Sequence, residues 1–278
     1  MTIKTASECQ SAATALGYNY ASSGSYSTTT YPVGCFSYTG YNGDFYFQEN
    51  SGATTSCNPE ANSYGHVSKC VCRVPDHQLD FRHCRDGVAT TDDKDSSITA
   101  TAKNGATCSE EGMVFDGNDD YVDVTPWAFG GEPITVEAYL KYDALNDWSP
   151  IFDFHDDTYN DEFRLANGAD GQCRLLVFHT SSNKYYAGPA NFFATGVWVH
   201  VVATIDGTTS NIYKNGALTE TNTAYDEPYS TTRANHWIGR SPFSTNGYFE
   251  GTIAYVRFWH GVAPVSYTHL TLPTILLV

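Results

Sequence analysis

The segment at positions 134–141 reads Ile134-Thr135-Val136-Glu137-Ala138-Tyr139-Leu140-Lys141, with an apolar side chain at every second position. Successive side chains of a strand point to opposite faces of a sheet, so this alternation predicts a half-buried β-strand. Positions 197–205 are instead an almost continuous apolar run, which predicts a strand covered on both sides. In that strand we expect Trp198 in the core and His200 bonded to a backbone carbonyl.

Further short strands follow along the chain. Positions 212–219 form a hairpin with Asn215-Gly216 at its turn, the pair that type I′ turns prefer. Positions 236–239 and 252–259 are also strands, and we expect Trp259 to lie in the core. Helical periodicity is almost absent from residues 78–264, and turn residues separate the strands. This pattern is typical of an antiparallel β-sandwich, or jelly roll, so the predicted fold class is mainly β.

The composition excludes several classes of protein. The 278 residues include 15 Lys and Arg against 31 Asp and Glu, a formal net charge of −16. Hydrophobic residues make up 41% of the chain, enough for a core, so it is not a disordered acidic tail. The negative charge argues against nucleic acid and anionic membranes as partners. The apolar runs are too short for a transmembrane helix, so we expect no membrane insertion.

The eight cysteines indicate disulfides and an oxidising compartment rather than a zinc site. The nearest metal-like pattern is Cys70-Val71-Cys72, whose spacing suits tetrahedral zinc poorly. Cys84 and Cys108 frame a polar loop, and we predict a disulfide between them. Cys173 is either free and buried or paired with a cysteine of the first module. That module holds five cysteines whose partners cannot be assigned from the sequence: Cys9, Cys35, Cys57, Cys70 and Cys72.

Residues 1–75 have the pattern of a small disulfide-bonded α+β module. Ser7 is a helix N-cap, which predicts a short helix over residues 8–16. Short strands are predicted at 44–47 and 70–74. The unit is poor in aliphatic residues and cannot bury a large core, so cross-links must help to stabilise it.

Five segments carry a resemblance to a known family. They are positions 113–122, 134–141, 198–204, 212–216 and 249–259, and they occur in the family order. Together they resemble the laminin-G-like jelly roll of the concanavalin A-like lectin/glucanase fold. The resemblance implies a jelly roll over residues 110–264 in which the last strand, 252–259, lies against residues 113–124. It also implies a structural calcium ion near that junction, although Ala254 stands where many relatives have an acidic residue.

Two other resemblances complete the predicted domain organisation. Residues 1–75 resemble Cys-rich modules of extracellular proteins from algae and protists. Residues 265–274 resemble a translated sequencing adapter, so residues 265–278 are interpreted as an artefactual tail. Residues 76–109 are then a linker and a disulfide-closed loop. The N-terminus lacks the apolar segment of a signal peptide, and we interpret the chain as a fragment.

Catalysis is not indicated by the sequence. Glycoside hydrolases that share this fold carry closely spaced carboxylates on one strand, which places them on one face. Here Glu137 stands alone in its strand, and we expect Asp161 and Glu162 to lie in a solvated loop. The sequence also lacks the short motifs of serine hydrolases and zinc proteases. The prediction is therefore a protein that is not an enzyme.

Two clusters of acidic residues have the composition of a calcium site, because hard cations bind clustered oxygen ligands. One cluster follows the first strand of the resemblance and a second lies after residue 152. The carboxylates considered as calcium ligands are Asp116, Asp119, Asp153, Asp156 and Asp157. The alternative interpretation is that both clusters are solvated acidic turns. No cofactor is indicated with certainty.

Aromatic side chains in loops are the candidates for binding a sugar. Trp148 is the best of them because polar residues flank it and it lies outside the predicted strands. The other candidates are Tyr159, Tyr185 and Tyr186. The alternative is that these rings fold back onto the sandwich.

These observations predict an extracellular or cell-surface recognition or adhesion protein without catalytic activity. Its expected partner is a glycan or a glycoprotein of the cell surface or matrix. Two alternatives stay open: a carbohydrate-active enzyme of the same fold, similar to a glucanase, and a purely structural adhesion spacer. Fold alone does not identify the ligand.

Overall fold

The structure is a computed structural model. It describes residues 9–10, 20–24, 34–38, 45–48, 68–70, 75–85, 88–91, 98–156, 161–168, 171–179, 182–223 and 226–261. The chain divides into two units: residues 1–74 with 264–278, and residues 75–263.

The first unit contains a four-stranded sheet in the order β1-β3-β2-β4. Its strands are β1 (Tyr20–Gly24), β2 (Gly34–Tyr38), β3 (Phe45–Gln48) and β4 (Ser68–Cys70). Cys9 and Gln10 are helical, at the position of the predicted helix, and Cys9 is disulfide-bonded. The remainder of that helix, and residues 71–74 of the predicted closing strand, lie outside the described residues.

The second unit is built from strands. Their bounds are β5 (His77–Arg85), β6 (Val88–Thr91), β7 (Ala100–Lys103), β8 (Thr107–Cys108), β9 (Met113–Asp116), β10 (Tyr121–Val124), β11 (Ala128–Phe129), β12 (Ile134–Ala144), β13 (Pro150–His155), β14 (Glu162–Asn167), β15 (Cys173–His179), β16 (Ser182–Ala187), β17 (Trp198–Asp206), β18 (Thr209–Lys214), β19 (Ala217–Asn222), β20 (Thr231–Thr232), β21 (Asn235–Ile238) and β22 (Glu250–His260). β11 pairs only with β20, and the others form one continuous antiparallel ladder.

This ladder folds into two layers. The first layer has the order β16-β15-β14-β13-β21-β10-β7, and β6 connects it to the second. The second layer has the order β5-β22-β12-β17-β18-β19, with β9 also paired to β22. The layers face each other across a shared core, where Phe152 and Phe154 of the first layer lie 5.3 and 5.1 Å from Phe258 of the second. The predicted β-sandwich is therefore confirmed.

The core follows the alternation in the sequence. Every second residue of β12, from Ile134 to Tyr142, belongs to the buried cluster. The run at 197–205 forms β17, and Val199–Ile205 is buried on both faces, as predicted. The hairpin of β18 and β19 has Asn215 and Gly216 at positive φ, which is the predicted type I′ geometry.

The last strand pairs with only part of the predicted partner segment. β22 pairs with β9, with Ile253 opposite Met113. Residues 121–124 instead form β10, which pairs with β7 and β21 in the other layer. The reason is the turn at 117–120, which Gly117 enters at a φ of 78° and which carries the chain from one layer to the other.

The interpretation of residues 76–109 as a linker and a loop is corrected. Their described part supplies four strands, β5 to β8, and Leu79 and Phe81 are completely buried in the core. The predicted disulfide between Cys84 and Cys108 is present and connects β5 to β8. Cys173 is free and buried, which was one of the two alternatives.

Two side chains expected in the core or on a backbone partner lie elsewhere. Trp198 is half-buried and stacks on Tyr139, on the face of the second layer that points away from the sandwich interior. Trp259 is on the same face, opposite Thr135, but it is buried, as predicted. His200 Nε2 lies 2.8 Å from Glu137 Oε1, so its partner is a carboxylate and not a carbonyl. A continuous apolar run does not show which of its two faces points inward. The sequence therefore did not give the correct surroundings of Trp198 and His200.

Candidate functional site

A buried polar cluster lies on the side of β13 and β14 that points away from the core. We call this side of the first layer the outer face; it carries Asp153, His155, Glu162, Arg164 and Trp237. Alternate residues of the same strands, such as Phe152 and Phe163, point into the core. The register places Asp153 opposite Arg164 and His155 opposite Glu162.

The charged groups of the cluster contact one another. Arg164 Nε lies 3.1 Å from Glu162 Oε1, and Arg164 Nη1 lies 3.6 Å from Asp153 Oδ2. His155 Nδ1 is 3.3 Å from Asp153 Oδ1. The side chains of Asp153 and Glu162 are 0% exposed. Arg164 therefore forms ion pairs with two carboxyl groups that are both shielded from water.

Glu162 holds a proton at neutral pH. Burial, followed by the negative charge of Asp153, raises the pKa of Glu162 to about 9, although the Arg164 charge acts in the opposite direction. Asp153 lies close enough to Glu162 to act directly on its carboxyl group. The carboxyl pair therefore keeps a proton at neutral pH, which the low dielectric of the site favours.

The prediction that Asp161 and Glu162 lie in a solvated loop is wrong for Glu162, which begins β14 and is buried. Asp161 lies just before that strand and forms an ion pair with Arg233, with 2.6 Å between Oδ1 and Nη2. The alternation of Glu162 and Arg164 with Phe163 and Leu165 was the available signal. It was missed because the run is short.

Two arginines stack on aromatic rings of the same face. Arg240 lies 4.2 Å from the ring of Trp237 and 4.7 Å from that of Tyr121. Arg174 of β15 lies 5.3 Å from the ring of Trp148. All five residues are partly exposed, so these stacked contacts lie at the surface.

Two loops border this surface and are joined to each other. Asn146 Nδ2 donates to the Tyr248 carbonyl at 3.1 Å, and the Gly247 amide donates to the Asp147 carbonyl at 2.7 Å. Arg164 Nη1 donates to Ser241 Oγ at 3.0 Å, so the loop after β21 lies against the buried cluster. The loops 145–149 and 240–248 thus form one edge of the outer face.

The structure places the predicted sugar-binding residues differently. Trp148 lies on the outer face, at a positive φ of 59°. Tyr185 and Tyr186 belong to β16, where Tyr185 pairs with Leu176, and only their backbone is described. Tyr159 lies outside the described residues. Sequence reasoning missed Tyr121, Trp237 and the two arginines because only the pairing of distant strands brings them together.

The predicted calcium ligands do not form one cluster. Asp116 and Asp119 lie together with Asp120, with carboxylate oxygens within 4.8 Å of one another. Part of this turn is closed by its own hydrogen bonds, since Asp116 Oδ1 accepts from the Asn118 amide at 2.9 Å. Asp153 belongs to the buried pair described above, and the Asp156 amide donates to the Asp161 carbonyl. Asp157 lies outside the described residues, and calcium stays a prediction.

The family model described as the concanavalin A-like lectin/glucanases superfamily matches residues 116–265, more than half of the chain. The chain belongs to this superfamily. The resemblance seen in the sequence is thereby confirmed, and the matched region covers the strands that carry the outer face. No curated protein matches the sequence.

Solved structures of the superfamily's β-sandwich type are similar in fold. Domain 4 of an extracellular arabinanase from Geobacillus stearothermophilus, in complex with arabinotriose, has a TM-score of 0.57 and 18% identity over 70% of this chain and 97% of its own. The receptor-binding domain of a botulinum neurotoxin of mosaic serotype C/D has a TM-score of 0.51 and 12% identity over 69% of this chain and 48% of its own.

A sialidase from Trypanosoma rangeli, in complex with 2,3-difluorosialic acid, has a TM-score of 0.51 and 16% identity over 72% of this chain and 33% of its own. At these identities the likeness is one of fold. Among the residues that the structure describes, we find no helix whose length and apolar character would let it cross a membrane.

Proposed function

We propose that this member of the superfamily is a glycan-binding recognition domain without catalytic activity, and that it binds through the outer face. The observation that carries the proposal is the pair formed by Trp148 and Arg174 at the edge of that face, where a partly exposed ring lies beside a planar polar group. Sugars are bound by such combinations because their C–H faces stack on rings while their hydroxyl groups accept and donate hydrogen bonds.

A second ring system on the same face supports the proposal. Trp237 and Tyr121 contact each other at 5.7 Å and are both partly exposed. Four strands and two joined loops fix the positions of these rings, so the surface is preorganised and binding requires little ordering of side chains. A small number of rigid aromatic contacts of this kind can supply most of the binding free energy.

Glycan-array binding tests the proposal. The intact chain should bind a defined group of glycans, and Trp148→Ala should weaken that binding about tenfold or more, because truncating an aromatic anchor removes most of its contact. Trp198→Ala is the matched control, since that tryptophan lies on the other layer. A chain that binds no glycan, or binding that Trp148→Ala leaves unchanged, would contradict the proposal and favour a structural spacer.

A second candidate function is glycoside hydrolysis, and one observation favours it: Glu162 is a protonated acid beside the charged Asp153. General acids of glycosidases have raised pKa values of this kind. Against this function, retaining enzymes hold their two carboxyl groups about 5 Å apart around the sugar. Here both groups are completely buried, so the structure shows no space for a sugar between them. The test is to incubate the protein with polysaccharides and measure the release of reducing ends. Release by the parent that is lost in Glu162→Gln would favour the enzyme.

We also propose that the domain acts outside the cell or at its surface, on a glycan or glycoprotein partner. The Cys84–Cys108 disulfide supports this, because disulfides form and persist in oxidising compartments. Mass mapping of the protein from its native source should recover the bridged peptide. Free thiols at both positions in that material would contradict the extracellular assignment.

A further inference from the structure

Two arginines of the outer face lack the carboxylate partners that other arginines of the chain have. In the described ranges, four arginines form ion pairs: Arg82 with Asp80, Arg164 with Glu162, Arg233 with Asp161 and Arg257 with Glu137. Within the described part of the chain, Arg174 and Arg240 form neither an ion pair nor a side-chain hydrogen bond. Their observed contacts are with aromatic rings.

This absence is unexpected for the charge of the protein. Asp and Glu outnumber Lys and Arg by 31 to 15, so carboxylates are abundant. Asp123 pairs in register with Trp237, which carries Arg240 on its ring, yet Asp123 and Arg240 form no ion pair. The Nε atoms of both Arg174 and Arg240 are buried without a hydrogen-bond partner in the described structure. Each guanidinium group therefore has its flat side covered and N–H groups unused.

The two guanidinium groups lie on one face and at a defined spacing. Arg174 is in β15, and Arg240 follows β21, three strands away across β14 and β13. Neighbouring strands lie 4.7–4.9 Å apart, so the two backbone positions are separated by about 14 Å across the sheet. Arg164 lies between them, with its charge directed at the buried carboxyl pair.

The face is also less acidic than its sequence implies. Glu162 is protonated, so Asp153 and the exposed Asp123 are the carboxylates of these strands beside the three arginines Arg164, Arg174 and Arg240. Arginine charges therefore offset the carboxylates on this face, in a protein whose formal net charge is −16.

We propose that the saccharide recognised on the outer face is acidic, and that Arg174 and Arg240 bind its carboxylate or sulfate groups. This inference rests on the proposed function and names the ligand class for the same surface. A guanidinium group presents N–H donors in a planar fork that matches the oxygens of carboxylates and sulfates. An arginine already oriented by a ring loses little freedom on binding, which strengthens the contact.

The experiment measures binding of the intact chain to matched oligosaccharides that are neutral, carboxylated or sulfated. We expect binding to the acidic members, with an affinity that falls as NaCl is raised because salt screens the charges. Arg174→Gln and Arg240→Gln should each reduce the affinity about tenfold, the usual effect of removing a charged hydrogen bond. Lys141→Gln is the control, because Lys141 lies in the second layer beside Trp198.

Each outcome supports or contradicts a specific ligand class. A preference for carboxylated or for sulfated saccharides identifies the anion. Equal binding of neutral and acidic members, or full affinity in both arginine variants, overturns this inference while leaving glycan binding intact. No binding to any saccharide overturns the proposed function as well. Melting temperatures of the variants within a few degrees of the parent show that the losses are not due to unfolding.

Discussion

Glu162 shows how one buried side chain makes stability depend on pH. Its pKa is about 9 in the folded protein because of burial and the charge of Asp153, whereas a glutamate in the unfolded chain has its ordinary pKa of about 4.5. Between these two pH values the folded state binds a proton that the unfolded state has released. Stability therefore falls as pH rises through this interval, with a slope of at most about 1.4 kcal/mol per pH unit.

Glu162→Gln should remove this dependence. The amide resembles the protonated carboxyl group in shape and needs no proton, so the variant should gain stability relative to the parent as pH rises from 5 to 9. Denaturant unfolding at four or five pH values in that range measures the effect. Glu110→Gln, at an exposed position, is the control and should leave the slope of the parent unchanged. Parallel curves for the parent and Glu162→Gln would contradict the assignment of the proton.

At the scale of the element, β22 and β12 approach each other so closely that one position must be glycine. Gly251 has a φ of 139°, and it pairs with Tyr142 next to an irregularity in the ladder. A Cβ at this position would overlap the carbonyl oxygen of Lys141 and lie 2.9 Å from the Asp143 amide nitrogen. These are backbone atoms of a central strand and cannot move without disrupting the pairing.

Gly251→Ala should therefore lower the free energy of unfolding by about 3 kcal/mol or more, through backbone strain and overlap together. The matched control is Gly207→Ala, where φ is also positive but nothing lies within 4 Å of the added carbon. That variant should lose only about 1 to 2 kcal/mol, the cost of the backbone conformation. Urea unfolding of both variants measures the difference, and equal losses would contradict the close approach.

A second prediction at the scale of the element concerns the contribution of the disulfide between β5 and β8 to stability. The bridge closes a segment with a sequence separation of 24, which restricts the unfolded chain. Replacing both cysteines, as Cys84→Ala with Cys108→Ala, should lower the free energy of unfolding by about 3 kcal/mol. Cys173→Ala is the control, because that thiol is free and its replacement removes only one buried sulfur. A double variant as stable as the control would show that the bridge adds nothing.

At the scale of the whole molecule, the core of the sandwich belongs to one unit. The residues that the structure describes in its buried cluster run from Leu79 to Phe258, within residues 75–263. A polypeptide of residues 75–263 contains both layers, the disulfide and the outer face. We therefore expect it to fold by itself.

This fragment should show a cooperative thermal transition and a far-ultraviolet spectrum of β-structure. It should also bind the same glycans as the full chain, because both loops of the outer face are present. A shorter fragment, residues 110–263, is the control; it lacks β5 to β8 and should fail to unfold cooperatively. If the shorter fragment proved equally stable, the assignment of β5 to β8 to the sandwich would be wrong.

Strand alternation and turn residues were sufficient to predict the β-sandwich, the hairpin at Asn215 and the Cys84–Cys108 bridge. These features depend on neighbours in the chain or on a pattern with a period of two, and such information is local. Trp148 could be proposed from its polar neighbours alone. Residues 76–109 were misinterpreted because β6 to β8 are short, and because β5 and β7 pair with strands far away in the sequence, β22 and β10.

Amino-acid order alone was thus enough for the fold class and the family, since alternation sets which side of each strand is apolar. The pairing of β13, β14, β15 and β21 had to be known before Asp153, Glu162 and the arginines could be recognised as one surface. The same holds for the proton on Glu162, because burial and the approach of Asp153 raise its pKa, and both arise from contacts between separate strands. Charge and accessibility at a site are properties of three-dimensional neighbours, which a single sequence does not specify.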